Sequence, residues 1–373
     1  YVTNSGHNEV AVINAATRKV IGDIPTGWYP TQVLAHDGKL SITSAKGLGA
    51  GPNNGPGHPN PTDPRDTAEN QYSGSMIKGL LSTVSEPDAA TLAKLTATVE
   101  KNNTANDPAR SSAVPNQIGT TSSKIKHVIY IVRENRTFDQ ELGSNGRGNA
   151  DPSLNLFGEE SAPNTRALAR QFTTFDNFYA DAEVSANGWN WVSQANSNPW
   201  SEEMWPSNYS GRGAPYPAES NDPDSRAKEH DSYFWEHLSK NNISFRNYGF
   251  YTTLDKKGKA HGVDKKILDP NTDHDFIGWS LDCPDSARSF APMAKNCGPK
   301  SRVDEWKSDF NKQLAKGSVP TVQLVRFGND HTQATKVGVP TPQAYVADND
   351  QAIGQLVETV SHSPIWKDTA IFL

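Results

Sequence analysis

At 373 residues and 40.7 kDa the chain has room for two domains of roughly 100–200 residues each. Its formal charge of -6 at pH 7 lacks the basic excess that phosphate backbones select, which argues against nucleic-acid binding. A hydrophobic fraction of 35% and a mean hydropathy of -0.68 leave no apolar run near the roughly 20 residues of a membrane-spanning helix, while nine Trp, eleven Tyr and thirteen Phe supply burial enough for a packed core.

The chain opens at Tyr1 without a Met and closes on IFL, which reads as the middle of a strand, so a piece of a longer protein is expected. Residues 1–47 alternate in strand fashion, with Val10 and Val12 on one face, a turn over Asn14 to Arg18, and a renewed strand from Lys19 to Ile24. That is the pattern of one blade of antiparallel sheet. Residues 48–72 form a Gly/Pro/Asn-rich excursion in which His58 has no partner in sequence. SGSMIKGLLSTV predicts one more strand. Leu92, Leu95 and Val99 then predict a helix, and a polar linker follows over 102–123.

From Lys124 the rhythm changes to alternating strands and helices, which predicts an α/β domain over 124–373 around a largely parallel sheet. Strands are expected at 126–132, 172–180, 243–250, 319–327 and from Thr369. Helices are expected near Asn164–Gln171, over 231–242 with Tyr233, Phe234 and His237 on one face, from a Ser301 cap to Lys316, and from Ala344 to Val360. Cys283 and Cys297, fourteen apart, are spaced for a disulfide in an exported protein, with two free thiols as the alternative.

Ligands bind outside the carboxyl ends of strands in open α/β sheets. The strand 126–132 delivers Glu134 and Asn135, followed by Arg136 and Asp139; the segment 172–180 delivers Asp181, Glu183 and Ser185; the strand 319–327 delivers Asn329, Asp330 and His331. Hard oxygens, a hydroxyl and an imidazole on one rim are the inventory of metal-assisted nucleophilic hydrolysis. The bland reading of the first cluster is a loop ion pair between Glu134 and Arg136. DPNTDHD at 269–275 has the oxygens of a calcium loop, but His274 stands where the turn Gly belongs and no Glu follows, so a solvated turn is expected. His230 and His237 fit no HExxH pattern, and neither a GxSxG elbow nor a P-loop occurs.

Two resemblances sharpen these expectations. YVTN together with VINAATRKVIGDIPTGWYPTQV resembles a YVTN-family β-propeller repeat, which implies a partial propeller over 1–101. KHVIYIVRENRTFDQ, FTTFDNFYADAEVSANGWNW and VPTVQLVRFGNDHT resemble the phosphoesterase family of bacterial phospholipases C and related acid phosphatases, in the alkaline-phosphatase-like superfamily, across roughly Lys124 to Leu373. The resemblance implies a divalent metal (Mg, Mn, Ca or Zn) on Glu134 and Asn135 with Asp330 as a further ligand, Ser185 as nucleophile, and His331 at the phosphate of a mono- or diester substrate. It further implies an Asp pair after the strand begun by TAIFL, without which the chain would be metal-poor and inactive. Trp189 stands where many relatives of the propeller-linked type carry His. A periplasmic or extracellular phosphoesterase is the leading expectation. The alternatives are a propeller-bearing surface or binding protein with a vestigial domain, and a metal-free serine esterase using Ser185 and His331.

Overall fold

The computed structural model describes residues 1–49, 77–104, 124–219, 233–286 and 297–373. They fall into two units, Tyr1–Ser112 and Ala113–Leu373. Strands β1 (Val2–Asn4), β2 (Glu9–Asn14) and β3 (Lys19–Pro25) form one antiparallel sheet, and β4 (Pro30–His36), β5 (Lys39–Ser44) and β6 (Leu80–Ser85) form a second. The Asn14 side chain accepts the Ala16 and Thr17 N–H groups and so makes the predicted turn. Val10, Ile24, Leu40 and Ile42 are buried together with Leu92 from the Ala89–Thr104 helix.

Where one blade was expected, these strands divide into two three-stranded antiparallel sheets. The break has a local cause. Between β3 and β4 the Trp28 N–H donates to the Gly47 carbonyl and the Tyr29 N–H to Asn8 Oδ1, and Pro30 has no N–H to give, so the ladder is not continued from β3. His58 and most of the 102–123 linker lie outside the described residues.

In the second unit β7 (His127–Val132), β8 (Phe245–Tyr248), β11 (Val322–Arg326) and β12 (Thr369–Phe372) form a parallel sheet in the order β12-β7-β11-β8. β7 and β11 place apolar side chains on both faces, as a sheet covered by helices on both faces requires. Ile129, Ile131 and Val325 pack with Trp306 and Phe310 of the Arg302–Ala315 helix and Ile353, Leu356 and Val360 of the Pro342–Ser361 helix. Val128, Tyr130, Val322 and Leu324 instead meet Trp189, Trp235 and Leu238 of the Ser185–Gln194 and Phe234–Lys240 helices. A short hairpin, β9 (Thr252–Leu254) with β10 (Ala260–Gly262), follows β8. Among the described residues no helix is long and apolar enough to cross a membrane.

Three expectations are corrected here. Residues 172–180 form no strand. Phe178 and Tyr179 are 85% and 79% exposed, and Asp176 Oδ2 accepts the Asn149 N–H, so local side-chain bonds replace a ladder. Phe234 and His237 share a face of the Phe234–Lys240 helix, the exposed one, but Tyr233 does not join them, because it is the extended N-cap residue and is buried with Trp235 and Leu238. The 269–275 stretch is not simply solvated: Asp273 is buried and its Oδ2 lies 3.3 Å from Arg246 Nη2. His230 lies outside the described residues.

The Cys283–Cys297 disulfide is formed and sits beside a buried polar network. Asp285 Oδ1 takes Arg302 Nη1 at 2.7 Å, and its Oδ2 accepts the Asn329 N–H at 2.9 Å and the Asn349 amide at 2.9 Å. Asp348 accepts the Asp285 and Ser286 N–H groups and the Asn329 amide. Burial pushes the Asp285 carboxyl up, with Arg302 pulling it back down. Asn329, read as a rim residue, is therefore wholly buried and fastens the loop that follows β11. Asp285→Ala strands the Arg302 guanidinium without its carboxylate, and urea unfolding should show a loss of about 3–5 kcal/mol.

Candidate functional site

All five positions of β11 are buried, and the last of them is Arg326. A guanidinium enclosed this fully must be paired and hydrogen-bonded to persist. Nη2 contacts Glu134 Oε2 at 2.7 Å, and Nη1 contacts Glu219 Oε2 at 2.8 Å. Its flat faces lie against two indoles, with Trp189 at 4.4 Å and Trp279 at 4.7 Å. Its Nε has no hydrogen-bond partner among the described residues.

Each partner brings its own element. Glu134 comes from the loop after β7. Trp189 lies four residues after Ser185 on the Ser185–Gln194 helix, so the two share a face. The Trp279 ring meets His331 edge-on at 5.1 Å. Glu219 Oε1 accepts the Tyr216 hydroxyl at 3.3 Å, Tyr216 stacks on Tyr209, and the Tyr209 hydroxyl accepts the Ala186 N–H at 3.3 Å, next to Ser185.

The loops are tied to each other as well. Asp330 Oδ1 accepts the Glu134 N–H at 2.9 Å, and Arg136 donates to the Asp330 and His331 carbonyls at 2.8 Å each. Arg133 forks onto Glu141 at 2.6 and 2.9 Å and reaches Asn349 at 2.7 Å. The loop ion pair between Glu134 and Arg136 is thus absent. Glu134 pairs with Arg326, and Arg136 binds backbone. Asp139 accepts the Asp151 N–H and serves its own loop.

The predicted residues are placed unequally. Glu134, Asp330 and His331 are linked directly through these contacts, and Ser185 joins through its helix. Asp330 is completely buried, already holds the Glu134 N–H, and lies 3.9 Å from Arg133 Nε, a position suited to fixing the two loops. Burial lifts its carboxyl well above the usual carboxylate range, Arg133 counteracting in part. Asn135 is exposed and Ser185 half-buried, and among the described residues neither side chain has a hydrogen-bond partner. Asp181 is exposed and away from these contacts.

Sequence reasoning missed Arg326, Glu219 and Trp279. Of these, Arg326 carried a readable signal, because a charged residue at the end of VQLVR, inside an otherwise apolar strand, has to be paired. Glu219 and Trp279 lie in irregular segments with no periodicity to reveal them.

With both carboxylates and the guanidinium ionised, the cluster carries one negative charge in excess. Burial accordingly pushes the Glu219 carboxyl above its ordinary 4.5, with Arg326 opposing and Glu134 reinforcing the rise. Between 4.5 and the raised folded value the folded protein holds this proton more tightly than the unfolded chain, so stability declines as pH rises. Glu219→Gln retains an acceptor for Arg326 but removes the titration. Its melting temperature, followed in a chelator from acid toward neutrality, should fall less steeply than that of the parent.

Two comparisons bear on this site. A family model described as the phosphoesterase family matches residues 145–373, more than half of the chain, and its bounds leave the Glu134–Asn135 loop outside. No curated protein matches the chain.

Proposed function

Because the chain belongs to the phosphoesterase family, we infer that it hydrolyses phosphate mono- or diesters at the Arg326 cluster, with Ser185 as nucleophile and a divalent cation on Glu134 and Asn135. The observation carrying this reading is that the loops after β7 and β11 and the helix begun by Ser185 meet around one enclosed guanidinium. The donors suit a hard cation. Glu134, Asn135 and Ser185 offer oxygens, and the surplus negative charge of the cluster is what a cation would offset. When bound, the ion would neutralise a phosphoryl oxygen and lower the pKa of the attacking hydroxyl.

The chain's own residues account for the remaining steps. Ser185 opens a helix of ten residues, where unsatisfied N–H groups and the helix dipole favour an anionic group. His331 Nδ1 faces the Thr332 carbonyl at 2.8 Å and therefore bears the proton, leaving Nε2 as a base. Nε2 takes the Ser185 proton as Oγ bonds to phosphorus, and returns it to the ester oxygen as that P–O bond breaks. Water then cleaves the phosphoserine, restoring the hydroxyl and releasing phosphate or a phosphomonoester. Asp330 acts as a positioning residue through the Glu134 backbone. The Cys283–Cys297 disulfide supports a periplasmic or extracellular setting.

The test is hydrolysis of p-nitrophenyl phosphate and phosphatidylcholine by the full-length protein. Ser185→Ala should lower kcat by on the order of 10³ or more, and a chelator should abolish turnover. Turnover that survives chelation points to a metal-free serine esterase, and turnover that survives Ser185→Ala removes this residue as nucleophile.

A further inference from the structure

The stretch between β9 and Phe276 holds a second concentration of ligating side chains. His261, Asp269 and His274 each offer one donor atom, all within 4.8 Å of one another. The two imidazole rings lie 4.6 Å apart, and His261 Nδ1 is 3.2 Å from Asp269 Oδ1. Ligands placed 2.0–2.1 Å from a tetrahedral ion are themselves about 3.3 Å apart, so modest side-chain rotation closes this set on one ion.

The supporting bonds orient the donors as an outer shell does around a metal. His274 Nδ1 lies 2.7 Å from the Ala260 carbonyl, an oxygen that can only accept, so Nδ1 carries the proton and Nε2 keeps its lone pair. The Ala260 N–H returns to the His274 carbonyl at 2.9 Å, which fixes that residue on the edge of β10. Asp269 Oδ1 is held by the Gly262 N–H at 2.7 Å. With His261 Nδ1 turned to the ion, its Nε2–H faces Asp255 Oδ2 at 3.6 Å. Asp255 is itself fixed, since its Oδ1 accepts the Lys257 and Lys259 N–H groups. No hydrogen bond or ion pair among the described residues joins this group to Glu134, Ser185, Arg326 or His331.

We propose that His261, Asp269 and His274 form a transition-metal site of the zinc class, with Asp255 as the carboxylate behind His261. Two imidazoles with one carboxylate favour zinc over magnesium or calcium. His274 is exposed and the other two are half-buried, so a water completes the coordination. The ion ties the β9–β10 hairpin to the Asp269–Asn271 turn and to the segment that enters the core at Phe276. Its role is to fasten this segment, independently of the hydrolytic site.

The experiment titrates Zn²⁺ into the metal-stripped full chain by calorimetry, with Co²⁺ as a spectroscopic probe for tetrahedral ligand-field bands and the melting temperature read with and without Zn²⁺. Besides any ion taken by Glu134 and Asn135, one equivalent should bind and raise the melting temperature. His274→Ala, a change at an exposed side chain, should weaken that equivalent by about 100-fold and Asp255→Asn by about 10-fold, both lowering the thermal gain and His274→Ala the more. Glu134→Gln should leave it in place, which separates this site from the hydrolytic one. Absence of Zn²⁺ binding in the parent chain, or unchanged affinity in both His274→Ala and His261→Gln, overturns the proposal.

Discussion

The enclosed guanidinium of Arg326 is the constraint on which the rest of the second unit turns. Removing it from water costs several kcal/mol, and the cost is met only because two carboxylates and two indole faces arrive together. Those four partners come from separate parts of the chain. Satisfying one cation therefore fixes the loop after β7, the Ser185–Gln194 helix, the segment bearing Glu219 and the loop bearing Trp279. A catalytic rim needs that kind of preorganisation, because a hydroxyl and its activating groups must be held before substrate arrives.

Around this centre the loops are held by polar bonds more than by apolar packing. Irregular backbone carries N–H and C=O groups that no ladder satisfies, and here Arg136, Asp330, Asp285, Asp348 and Arg302 take them up. The Arg302 guanidinium alone donates to the Ile277, Gly278, Ser280 and Cys283 carbonyls. Such a network is brittle, since losing one member leaves others buried without partners. It also accounts for Asp330 and Asn329, which stand among rim residues in sequence yet serve to anchor the loop that presents His331.

The segment after β8 follows a different logic. His261, Asp269 and His274 lie nearer the surface, and hairpin and turn hydrogen bonds orient them. Charge is offset there by side-chain pairs such as Lys265 with Asp269 and Arg246 with Asp273, without the aromatic enclosure seen at Arg326.

Much of the scaffold was legible from residue pattern. Apolar runs bounded by turn residues marked β7, β11 and β12, and the Ser301 cap and Gly317 bounded a helix, because strand alternation, helical periodicity and capping are local properties. The same locality explains the failure at 172–180, where an aromatic-rich segment matched a strand but found no neighbour to pair with. Glu134 and His331 could be singled out by their position after strand ends; their partners could not. That Glu134 meets Arg326 and not Arg136, that Glu219 and Trp279 belong to the site, and that His274 lies against His261 are outcomes of chain crossing. Pairing between residues scores apart in sequence is selected by the shared cost of burying charge, and that cost exists only once the sheet and its helices have closed around it.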